Sequence, residues 1–183
     1  MKIERFDEGL EHRRIVPYDP VYAEVFLSLR GHAQACLEGV ELVHIGSTAV
    51  PELRGKPMID IAAITSRASL REEQQAFERA GFHRRPVWVD KDDKPYVCAS
   101  VLHRGRRFNI NLHICHEGDP VHKDSLAFID ILSRRPDLRR KYERAKDRAH
   151  AIDPADPHVY NREKEAVIKE IEALIPGLLP PAA

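Results

Sequence analysis

The chain has 183 residues, with 29 Lys plus Arg against 29 Asp plus Glu, so its formal net charge is zero with histidine neutral. That length suits one domain around one core. The even charge argues against a general electrostatic grip on nucleic acid or an anionic membrane.

Asp19-Pro20 reads as a helix start, with Asp as N-cap and Pro at the first helical position. Tyr22, Phe26, Leu29, Ala33 and Cys36 then recur on one helical face, and Gly39 closes the helix. Val40 to Ile45 and Met58 to Ile64 read as buried strands. Ser69-Leu70-Arg71-Glu72 is a capping-box pattern opening a helix that ends at Gly81. Pro86 to Val89, Tyr96 to Leu102 and Phe108 to Cys115 read as three strands of an antiparallel meander, with turns at Asp90 to Lys94 and His103 to Arg106. From Val121 the pattern is helical. Leu126, Ile129 and Leu132 mark one helix, Pro136 opens a second running to about Ile152, and Asp153 to Pro157 breaks the chain. Val167, Ile171 and Leu174 face inward on the last helix, and the tail 176–183 is expected to fray. With no repeat and no separating linker, this order predicts a single α+β domain over 1–183, its core about 15–175.

No apolar run approaches the roughly 20 residues that span a bilayer. Met1 to Glu11 is charged and lacks a signal-peptide core, so a soluble, cytoplasmic protein without membrane contact is expected. Cys36, Cys98 and Cys115 are far apart and include no Cys-x-x-Cys. A disulfide framework and a structural zinc site of the usual spacing are therefore not expected. The ten histidines are expected mainly at the surface.

The most informative stretch is His44-Ile45-Gly46-Ser47-Thr48-Ala49-Val50-Pro51, followed by Lys56-Pro57-Met58-Ile59-Asp60-Ile61. Gly-Ser at a strand end can turn backbone N–H groups toward an anion. Ser47 can act either as an N-cap or as a phosphate ligand. Asp60 inside an apolar strand is costly unless something pairs with it. Side chains alternate along a strand, so a second acid aimed like Asp60 would stand at position 62, which is alanine. In Phe108 to Cys115, the row Asn109, Asn111, His113, Cys115 faces either water or a cleft. If that strand neighbours Asp60, His113 can pair with the carboxylate or join it on a metal. Lys56 stands four residues before Asp60, and Tyr160 and Lys164 share a helix face. Each has a plain alternative: a surface lysine, and a packing tyrosine beside a solvent lysine.

These residues resemble the GrpB family, bacterial proteins with a nucleotidyltransferase-like fold. The resemblance runs from Tyr18-Asp19-Pro20 through the Gly46 and Asp60 stretches, Asn111-Leu112-His113-Ile114 and Pro136 to Tyr142, and ends at Tyr160 and Lys164. It implies a polymerase-β-like core, a mixed sheet flanked by helices. In that superfamily Gly-Ser opens the phosphate-binding turn, an Asp-x-Asp strand follows, and a third acid comes from a later strand. Here Gly46-Ser47 and Asp60 match, Ala62 stands at the second acid, and His113 lies in the strand of the third. The resemblance implies a nucleotide or other phosphorylated small molecule as ligand, with nucleotidyl or phosphoryl transfer as the chemistry. Gly46, Ser47, Thr48, Lys56, Tyr160 and Lys164 would bind it. Asp60 and His113 would act in catalysis or hold a divalent metal (Mg, Mn or Zn). The alternative is a catalytically silent module that binds a protein partner. Fusion of some relatives to dephospho-CoA kinase connects that alternative to coenzyme A metabolism.

Overall fold

The five described helices each begin at a proline or a capping serine, and most strands are apolar runs closed by turn residues. A computed structural model describes residues 2–9, 13–84 and 94–177. Strand β1 is Ile3–Glu4, helix α1 Val21–Cys36, β2 Val40–Ile45, β3 Met58–Thr65 and α2 Leu70–Arg79. Then come β4 Tyr96–His103, β5 Arg106–His116, α3 Pro120–Arg134, α4 Pro136–Ile152 and α5 Pro157–Glu172. The N-cap position of α1 is Pro20, one residue later than expected, and Asp19 Oδ1 accepts from the Val21 N–H at 3.0 Å just ahead of the helix. The helix stops at Cys36, short of Gly39.

The strands form one mixed sheet in the order β1-β4-β5-β3-β2. β3 and β5 run parallel, and the other pairs are antiparallel. β4 and β5 form the expected hairpin. Its two loop residues, Arg104 and Gly105, both have positive φ, 49° and 77°, as a tight hairpin loop requires. The expected strand Pro86 to Val89, most of the turn Asp90 to Lys94 and the tail from 178 lie outside the described residues. Along β4 the neighbouring strand is β1, where Ile3 faces Val101, and His83 bridges to Cys98. Two residues are too few to show an alternation, so β1 leaves no periodic trace in the sequence.

The sheet has two different faces. Ile59, Ile61, Ala63, Ile110, Leu112 and Ile114 point to one side and pack with Val25 and Leu29 of α1 and Phe77 of α2. On the other side, Ile45, Ala62, Ile64 and Cys115 meet Val121 and Ile129 of α3. A further core ties α3, α4 and α5 to Val50 and Leu53 of the β2–β3 loop. The polar row of β5 therefore faces a helical layer, not bulk water. Asn109 within it clamps the N-terminal segment, accepting from the Asp7 N–H at 3.0 Å and donating to the Asp7 carbonyl at 2.8 Å.

Ser69 caps α2, accepting from the Glu72 N–H at 3.3 Å. Ser69→Ala is expected to cost about 1 kcal/mol, lowering Tm by about 2–4 °C. An unchanged Tm in thermal denaturation would show that this cap contributes nothing.

Candidate functional site

The parallel pairing of β3 with β5 sets the site. It places Asp60 opposite Asn111 and Ala62 opposite His113, all on the face toward α3–α5. The Asn111 amide donates to Asp60 Oδ1 at 3.2 Å. Burial pushes the Asp60 carboxyl up, against the opposing pull of His113, the Asn111 hydrogen bond and Lys164. Burial pushes His113 down, with Asp60 pulling the other way. The β3–β5 pairing makes the two groups electrostatic neighbours.

Gly46 follows β2 with φ 73° and ψ −166°, a backbone region open essentially to glycine alone. A Cβ at this position would lie 2.6 Å from Asp60 Oδ2. The chain thus turns directly against the carboxylate before entering a short 3-10 turn, Ser47–Ala49. The residue at the N-cap position is Gly46, not Ser47. The Ser47 side chain instead neighbours Tyr142 of α4, whose phenol burial pushes up to about 12. Thr48 points elsewhere. Its hydroxyl donates to the Met58 carbonyl at 3.2 Å and lies 3.0 Å from His44 Nε2. It holds the turn in place and does not join the cluster around Asp60. His44 is one histidine that departs from the surface expectation. It stacks on Phe26 at 5.1 Å, and burial pushes it down to about 4.

The β2–β3 loop docks on α4. Arg54 forms a two-pronged pair with Asp147, both bonds 3.2 Å, and its N–H donates to Glu143 at 2.9 Å. This carries Lys56 toward α5, where its Nζ stands 3.8 Å from the Tyr160 ring centroid. Lys164 Nζ lies 4.2 Å from the same ring and 5.9 Å from that of Tyr142. Lys146 Nζ lies 4.7 Å from the Tyr142 ring. The result is a ladder, Lys56–Tyr160–Lys164–Tyr142–Lys146, in which ammonium groups alternate with ring faces. A ring quadrupole attracts a cation without neutralising it. Among the described residues, none of these three lysines makes an ion pair.

Removal from water weakens the hold of each lysine on its proton. Burial brings Lys56 down to about 8, helped by the charges of Lys164 and Arg13. Burial likewise brings Lys164 down to about 8, with Asp60 opposing. Lys146 is fully buried, its Nζ donates to the Arg54 carbonyl, and burial brings it down to about 7. The sequence reading missed Lys146, yet its signal was present. Tyr142 and Lys146 repeat on α4 the four-residue spacing of Tyr160 and Lys164 on α5.

Gly46, Ser47, Asp60, Lys56, Tyr160, Lys164 and His113 are therefore gathered on one side of the sheet, each partly open to solvent. For a divalent ion, Asp60 and His113 offer one carboxylate and one imidazole. Among the described residues, no group of three or more His, Cys, Asp or Glu side chains is placed to hold a metal. Ala62, where a second carboxylate would stand, is fully buried among apolar side chains. This donor set does not complete a metal site.

The family model described as GrpB protein matches residues 12–174. The chain belongs to the GrpB family. It is 26% identical over 163 residues to a UPF0157 protein of Halalkalibacterium halodurans, covering 86% of this chain and 79% of that one. It is 27% identical over 170 residues to a UPF0157 protein of Pseudomonas aeruginosa, covering 86% and 65% respectively. The crystal structure of the conserved protein GrpB from Enterococcus faecalis superimposes with a TM-score of 0.68 at 25% identity, covering 88% of this chain and 96% of that one. The Cid1 poly(U) polymerase superimposes with a TM-score of 0.56 at 14% identity, covering 81% of this chain and 49% of that one. That likeness shows a shared fold, and the GrpB chain is built as a mixed-sheet nucleotidyltransferase-like α+β protein. Among the described residues, no helix is long and apolar enough to cross a membrane.

Proposed function

We propose that this GrpB protein binds a nucleotide or other phosphorylated small molecule on the face formed by β3, β5, α4 and α5. The observation that carries this reading is the lysine–tyrosine ladder. Buried or half-buried ammonium groups that form no ion pair are costly, and a phosphate is the ligand class that relieves the cost. Lys56 and Lys164 face the anion directly, while Lys146 adds charge from behind. In this reading Asp60, oriented by Asn111, and His113 flank the bound phosphates and position the reacting group. Nucleotidyl or phosphoryl transfer is the chemistry that fits the fold. The polymerase of like fold is described with Mg and 3′-dATP bound, which makes a nucleotide the first ligand to try.

Ala62 favours a second reading. With no second acid on β3, the same site suits a binding module that holds a phosphorylated ligand for a protein partner without turning it over. Thermal denaturation against nucleotides, coenzyme A precursors and sugar phosphates, each with and without Mg²⁺, Mn²⁺ or Zn²⁺, tests the shared premise. A ligand at 100 times its Kd adds about 2.7 kcal/mol, or roughly 5–10 °C in a chain of this size. That shift should vanish in the Lys56→Met, Lys164→Met double variant. Silence of the wild-type protein across the panel would sink the proposal.

A further inference from the structure

We infer that this site holds its phosphates without a divalent metal, the ammonium groups of Lys56 and Lys164 taking the part that metal ions play in ordinary phosphoryl-transfer sites. This rests on the phosphate-ligand reading above and goes further by specifying what neutralises the ligand.

The first observation is the donor set. A two-metal site clamps the attacking and leaving oxygens between ions held by several carboxylates. Here a single acid, Asp60, is joined by an amide, Asn111, rather than a second acid. Position 62 is an alanine sealed between Ile45, Ile64 and Cys115. No water or ion need enter that corner, because its walls are hydrocarbon and a thiol whose proton burial holds tightly, at about 11.

The second observation is the positive charge already present. Lys164 feels the charge of Asp60 without forming an ion pair with it, and Lys56 feels both Lys164 and Arg13. A divalent ion brought to Asp60 would be repelled by the charge of Lys164, which already acts on that carboxyl, and a low-dielectric setting strengthens such repulsion. A lysine is a compact point charge that serves phosphate well. The Tyr160 ring, with ammonium groups 3.8 Å and 4.2 Å from its centre, fixes both lysines without quenching either. Asp60 then acts as a positioning residue for Lys164, not as a metal ligand.

Isothermal titration calorimetry of the full chain with ATP and with inorganic pyrophosphate separates the cases, run once in EDTA and once in excess Mg²⁺. At least one probe should bind in EDTA. Excess Mg²⁺ should weaken that binding severalfold, because Mg²⁺ and the lysines compete for the same oxygens. Lys164→Met should weaken binding in EDTA at least tenfold. Binding that needs Mg²⁺ and disappears in Asp60→Asn would overturn the metal-free inference and leave the phosphate-ligand reading standing. No binding of either probe in either condition would overturn both. The comparison of EDTA with Mg²⁺ uses unaltered protein, so it does not depend on any variant folding.

Discussion

Gly46→Ala is expected to destabilise the protein by about 2–6 kcal/mol and to abolish the proposed ligand binding. Two costs add. The backbone at φ 73° and ψ −166° lies where a side chain costs about 1–3 kcal/mol. The new methyl would stand 2.6 Å from Asp60 Oδ2, 3.0 Å from its Cβ and 3.2 Å from its Cγ, and overpacking of that kind costs about 1–3 kcal/mol. The carboxyl cannot simply swing aside, because Asn111 donates to its other oxygen. Chemical denaturation gives the size, and a double-mutant cycle with Asp60→Ala gives the cause. Shortening Asp60 should recover the packing share and leave the backbone share. A denaturation midpoint equal to wild type would show that Gly46 is not pressed against Asp60.

Lys146→Met is expected to do the reverse to stability, raising Tm in the absence of ligand at pH 6.5. Lys146 is fully buried, and its ammonium pKa falls from 10.5 to about 7. Glu143, Asp147, Arg54 and Lys164 all act on it, the two acids too weakly to offset burial. Between about 7 and 10.5 the unfolded chain carries a proton that the folded chain has released. Folding stability therefore rises with pH across that window, and the whole cost is present below it. Lys56 and Lys164 act with the same sign from about 8 upward. The two ladder tyrosines oppose them above pH 10, their phenols being held protonated by burial. His44, down to about 4 from 6.5, contributes a rise that is complete before the lysine window opens.

A shift of this size corresponds to several kcal/mol, from which the orphaned Arg54 carbonyl subtracts about 1–3 kcal/mol. A net gain of about 1–3 kcal/mol is expected at pH 6.5, or several degrees of Tm. The early part of the pH slope should disappear with it. Thermal scans of both proteins from pH 6.5 to 9.5 check this. A variant that melts lower than wild type at pH 6.5 would mean Lys146 is stabilising where it stands, and the ladder would then be a structural device.

Much of the site could be read from local sequence. Gly46-Ser47 closing one apolar run and Asp60 interrupting the next announce a turn facing an acid. Tyr160 and Lys164 share a helix face because they are one turn apart. Position 62 shows at once that the usual second acid is missing. What local sequence does not carry is which strand lies beside which. Asn109, Asn111 and His113 alternate in the same way on a wet face as on one under helices. The parallel pairing that sets Asn111 against Asp60 spans 51 residues. Lys146 sits among Glu143, Arg144, Asp147 and Arg148, which reads as a solvated helix face. It is buried because Arg54 and its loop close over it, a contact between residues 92 apart. Ser47 is plain enough as a turn residue, but its place beside Tyr142 rests on how α4 lies across the sheet. Thr48 looks like part of the same loop signal, and only the packed structure shows its hydroxyl turned to His44.

The ladder has a consequence for the order in which the protein is made. Synthesis runs from the N-terminus, so β5 has been delivered by residue 116 and every strand of the sheet can by then be paired. At that moment Asp60, Asn111 and His113 already stand together, with no ammonium facing them from α4 or α5. Lys146 and then Lys164 arrive with the last two helices. If the site takes the phosphorylated ligand proposed above, that ligand gains its contacts with Lys146 and Lys164 only after α4 and α5 have joined the sheet. The binding energy of such a ligand would then favour the docking of the C-terminal helices on the sheet.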